Sequence, residues 1–151
     1  MQHVSNLNDL AILLQTDLSV YDINRDMEHA GIRLDLAVRQ VAKAIKDGDR
    51  SAAVVGYKLL MKDPHLPFGK LIKSNLARAF KHQMDLLTEH EKLKLAGKTG
   101  ELLSMQYCPR EVEDYCRLVK KMGEYIANTV IANSRPVNEK ARSLVAYLGA
   151  P

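Results

Sequence analysis

Two cysteines and five histidines are the side chains best suited to nucleophilic or metal chemistry in this 151-residue chain. Cys116 falls on the apolar row Val112, Tyr115, Cys116 and Val119, so it reads as a small core residue. Cys108 stands beside Pro109, where a helix is expected to begin. A thiol at a helix N-terminus is open to a lowered pKa, but catalysis also needs a base and an orienting partner, and the sequence places neither. His3, His29, His65, His82 and His90 are scattered. His82 and Asp85 have the i, i+3 spacing of ligands on one helical face, but one such pair is not a four-ligand site. Gly97-Lys98-Thr99 echoes the end of a phosphate-binding loop, but Lys92 stands where the earlier glycine belongs and no strand precedes it. The chain is therefore read as a non-enzyme, with no cofactor and no metal expected.

Basic residues give the most usable pattern. Lys58, Lys62, Lys70, Lys73, Arg78 and Lys81 surround the turn at Pro64, with only Asp63 opposing them. Lys70, Lys73 and Lys81 fall close to one face of a helix, a patch able to contact phosphates with salt-dependent affinity. The wider balance is mild: 22 basic against 18 acidic residues, a net charge of +4 and a pI near 9.1. Aromatic side chains for base stacking are sparse there, and Phe80 belongs to the apolar stripe.

The elements that must position these residues are helical. The five prolines leave long stretches in which apolar residues recur every three to four positions, as amphipathic helices require. A short helix is expected around Leu7–Leu14, then a stripe Val20, Ile23, Met27 and Ala30. A cleaner stripe follows, Leu34, Ala37, Val38, Val41, Ala42 and Ile45, stopped at Asp47-Gly48-Asp49. Ser51 is the expected cap of the next helix, which ends at Asp63-Pro64. A long helix is expected from Phe68 toward Leu95, with a break near Thr88 and an end at Gly97 and Gly100. The last large element is expected to start at Pro109, carry one apolar face from Val112 to Val130 and end at Asn133-Ser134-Arg135-Pro136, with a final short helix carrying Ala141, Leu144, Val145 and Leu148.

Gly48 to Phe80 faintly resembles a tetratricopeptide hairpin: Ala52 and Pro64 stand at its spacing, and Phe68 and Leu71 open the second helix suitably. Lys43 and Gln40 depart from its aromatic and glycine positions, and no second copy occurs, so the span reads as a generic helical hairpin. Six to eight helices in one all-α domain covering 1–151 are expected. No run of about 18 apolar residues is present to span a bilayer. The N-terminus lacks the pattern of a signal peptide, and two cysteines are too few for a disulfide framework, so a cytoplasmic protein is expected.

These features point to a macromolecular-binding protein, an adaptor, regulator or subunit acting through helical surfaces, with a protein partner and scope for self-association. Leu66, Phe68, Tyr107 and Tyr125, apolar positions outside the stripes, are the expected contact residues. The alternative is a basic nucleic-acid-binding regulator using the Lys58–Lys81 surface.

Overall fold

Local capping chemistry sets the helix boundaries in the computed structural model, which describes residues 2–67 and 69–151. Helix α1 (Leu7–Leu14) starts at Asn6, whose side chain accepts from the Asp9 amide at 2.8 Å, and stops at Gln15 in the left-handed region. Helix α2 (Ala30–Lys46) is capped by His29, whose Nδ1 accepts from the Ile32 amide. Gly48, at φ +91°, turns the chain where a side chain would be strained. Helix α3 (Arg50–Lys62) starts from Asp49, not Ser51, because the Asp49 carboxylate accepts from the Ser51 and Ala52 amides. Helix α4 (Gly69–His82) follows the Pro64 turn. Thr88 and Glu91 form a reciprocal capping box for α5 (Glu89–Leu103). Helices α6 (Val112–Met122), α7 (Glu124–Asn133) and α8 (Glu139–Gly149) complete the series. The chain is all-helical as expected: among the described residues the one extended pairing is an isolated bridge between His3 and His65.

The contacts group into two compact units, Met1–Leu86 and Leu87–Pro151. In the first, α2 packs against both α3 and α4, and α1 lies on α2 and α3. Leu34 and Ile45 from α2, Leu59 and Leu60 from α3, and Leu76 and Phe80 from α4 are fully buried, each such side chain contributing about 1.5–3 kcal/mol. Gly56 lets these helices approach: a Cβ there would lie 2.8 Å from Ile45 Cδ1 and 3.1 Å from Phe80 Cζ.

In the second unit α5 packs on α6 and α7, and α8 packs on α6 and α7. Leu103, Val112, Cys116 and Val119 sit at its centre. Polar side chains close it. Lys120 Nζ donates to the Tyr147 and Ala150 carbonyls at the end of α8, at 2.8 and 2.9 Å, and lies over the Tyr147 ring. The Asn138 amide donates to the Met105 and Gln106 carbonyls just beyond α5.

Three expectations about helix extent fail for identifiable reasons. The stripe from Val20 to Ala30 is not a helix; only a 3₁₀ turn at Ser19–Tyr21 forms. Asp17 accepts from the Ser19 amide, and Arg25 donates to the Asp22 and Ser19 carbonyls, so side chains capture the backbone and leave Val20 and Ile23 exposed. The break expected near Thr88 is present: α4 ends at His82 and Thr88 caps the restart. Gly97 and Gly100 lie inside α5 and do not end it. The Pro109–Val130 element begins only at Val112, after a tight turn in which the Val112 amide donates to the Pro109 carbonyl, and divides at Gly123, where φ is +116°.

The sharpest energetic feature of the first unit is a charge pair taken out of water. Lys73 Nζ donates to Asp63 Oδ1 at 2.6 Å, with side chains only 7% and 9% exposed. Asp63 is also the left-handed C-cap of α3, at φ +50°. Removing the cation leaves a buried carboxylate, so Lys73→Met is expected to cost about 3–5 kcal/mol in urea unfolding. Lys62→Met, on the exposed end of α3, should stay within about 0.5 kcal/mol.

Candidate functional site

The burial pattern redistributes the expected site residues. Leu66 is only 4% exposed and belongs to the core, which corrects its assignment to a contact patch. Phe68 lies outside the described residues, as does the side chain of Lys70. Tyr107 and Tyr125 are outward, 76% and 79% exposed. Of the basic group, Lys73 is consumed by Asp63, a correction to its place on a surface patch. Lys58 is half-buried and donates to Thr16 Oγ1 at 2.9 Å. Lys62, Arg78 and Lys81 remain exposed. An inward lysine on a mostly basic helix could not be told from its neighbours by spacing alone, because its carboxylate partner lies across a turn.

Nucleophilic chemistry loses its footing. Cys108 is 5% exposed, not displayed at a helix start, and burial raises its thiol pKa despite the Lys140 ammonium nearby. Burial pushes the Cys116 thiol up to about 12. His82 ends α4 and Asp85 lies in the following turn, so their sequence spacing does not place them on one helix. Among the described residues, no group of three or more His, Cys, Asp or Glu side chains is arranged to hold a metal ion.

Two surface depressions are the next candidates. The first, about 390 Å³ and within the first unit, is bordered by the N-terminal end of α1 and by Asp22 and Arg33. Sequence reasoning missed this pair, which is separated by the irregular segment mistaken for a helix. Arg33 Nε donates to Asp22 Oδ1 at 2.8 Å and Nη2 donates to Oδ2, a bidentate clamp that holds the Asp22 pKa below the usual carboxylate range. The guanidinium is already matched by a carboxylate, so the depression offers no ready anion site.

The second is a groove of about 530 Å³ between α5 and α7. Its apolar lining is Leu93, Ala96, Gly97 and Gly100 from α5 with Ile126 and Val130 from α7. Gly100 faces Val130, and Ser104 Oγ accepts from the Arg135 amide at 2.8 Å, so the two helices run in the same direction. The polar edge is unequal. The Ser104 and Thr129 hydroxyls already donate to the Gly100 and Tyr125 carbonyls. That leaves the Glu101 carboxylate and Asn133 amide without a partner among the described residues. Tyr125 heads the helical row Tyr125, Thr129 and Asn133, the last two of which line the groove. Gly97 and Gly100, expected to end a helix, instead lower one wall of this groove.

Both thiols should resist Ellman's reagent at neutral pH in the folded protein, and both should react once denaturant is added. Fast labelling of one thiol in the native state would contradict the burial described. Comparison with protein families, with curated proteins and with solved structures gives no match for this chain.

Proposed function

We propose that this protein is a non-enzymatic binding module whose α5–α7 groove receives a short amphipathic helix from a partner protein. The observation that carries the reading is Gly97. It is exposed in the middle of α5, and a Cβ there would meet nothing within 4 Å. Mid-helix glycine costs about 1 kcal/mol relative to alanine, and packing inside this chain does not require it. A bare backbone beside Leu93, Ile126 and Val130 instead suits close approach by another helix.

The groove spans α5 from Leu93 to Ser104, about three helical turns, long enough for two or three apolar anchors on one face of the incoming helix. The Glu101 carboxylate favours an occupant with Lys or Arg flanking those anchors. Tyr125, large and exposed, supplies aromatic area of the kind that dominates binding energy at protein interfaces.

Gly97→Ala should stabilise the protein by about 0.5–1 kcal/mol in chemical denaturation, since the added methyl enters open space. Gly97→Trp fills the groove. Immobilised wild type, exposed to native cell extract treated with nuclease, should retain a partner that Gly97→Trp fails to retain, both proteins giving matching circular dichroism. Identical retention by the two, or retention lost on nuclease treatment, would overturn the reading.

A further inference from the structure

Outside the groove, the fold brings together one pair of exposed histidines from distant parts of the chain, joined by a hydrogen bond between their Nδ1 atoms. The extended segment before α1 lies along the α3–α4 turn: the Val4 amide donates to the His65 carbonyl at 2.9 Å, and the His65 amide donates to the Gln2 carbonyl at 2.7 Å. Val4 is 2% exposed and seats the segment in the core. His3 and His65 are thereby fixed side by side on the surface, with their Nδ1 atoms 3.2 Å apart.

We propose that His3 and His65 form a two-imidazole site for a borderline divalent cation of the zinc class. Two nitrogens bound to one tetrahedral zinc at about 2.0–2.1 Å are separated by about 3.3 Å, close to the spacing found here. The ring centroids are 4.6 Å apart and the planes are inclined by 56°. Because each nitrogen lies outward of its ring centre, so short a centroid separation means the lone pairs are inclined to the line joining the nitrogens. The lone pairs of two ligands on one ion are likewise inclined to that line. With the ion bound, both rings would use Nδ1 and carry their remaining proton on Nε2, the ion taking the place of the proton that links the two Nδ1 atoms, which leaves to water. Water takes the other two positions of the shell, since among the described residues no third His, Cys, Asp or Glu joins the pair.

An ion held there ties the segment preceding α1 to the α3–α4 turn, and it stabilises the folded state according to its concentration relative to its dissociation constant. The sequence gives no hint of this, because the ligands are 62 positions apart and belong to no local motif.

The test uses the full chain with Zn(II), followed by calorimetric titration and thermal unfolding, and Co(II) as an absorbing substitute. Wild type should bind one zinc, unfold at higher temperature in its presence, and give visible Co(II) bands. His3→Gln and His65→Gln should each weaken zinc binding by at least about tenfold, through loss of one metal–nitrogen bond, and abolish the thermal shift. His90→Gln, at an exposed histidine in the other unit, should retain all three signals. The His65 variant also separates this site from chelation through His3 alone. Absence of zinc binding by wild type, or its persistence in either the His3 or the His65 variant, would overturn the proposal.

Discussion

The turn between α3 and α4 is held by a buried pair of opposite charges, and the packing of the first unit depends on it. Asp63 caps α3 through its backbone amide, which donates to the Leu59 carbonyl, while its carboxylate receives the Lys73 ammonium from α4. One residue thus ends a helix, reverses the chain and fixes where the next helix lies. A pair of this kind is weak as a source of net stability, because desolvation offsets much of the attraction. Its value is selectivity, since registers of α4 that strand either charge in the core are penalised. The side chains that fill the space between α2, α3 and α4, Ile45 and Phe80 around Gly56 above all, can interlock only in the register it enforces.

The second unit solves the same problem with backbone carbonyls instead of a paired carboxylate. Lys120 supplies the end of α8 with the donors that a helix C-terminus lacks, and places positive charge at the negative end of its dipole. Asn138 both caps α8 and reaches the carbonyls beyond α5. Two side chains thereby secure a helix whose own buried residues are few, chiefly Ala141 and Leu148. With the edges fastened in this way, the α5–α7 face keeps small residues that give up contact area.

Helix type and the core faces of α2, α3 and α4 were legible in the sequence because a 3.6-residue period shows wherever one side of a helix is buried. Helix ends were legible only where a strong local device stood alone. Asp47-Gly48-Asp49 and Asp63-Pro64 were such cases. Gly97 and Gly100 misled, since glycine marks either a stop or a close approach, and only neighbouring helices decide between them. Gly123 misled in the opposite sense, for the apolar period continues across it while the backbone does not. The groove was invisible because it is made by two helices whose pairing no local pattern encodes. Tyr125 was singled out only for standing off the stripe. Leu66 and Lys73 show the limit of the same logic, being outliers by pattern but interior by contact.

Gly123 serves at once as the last cap of α6 and the first cap of α7. No loop separates the two helices, so there is no slack chain to absorb a change in the angle between them. Its φ of +116° and ψ of 164° lie in a region essentially closed to other residues, so the sharp turn between the two helices depends on glycine there. The α7 wall of the groove is therefore joined to α6 with no intervening chain. A side chain at position 123 would have to change the angle between these helices, and with it the line of that wall.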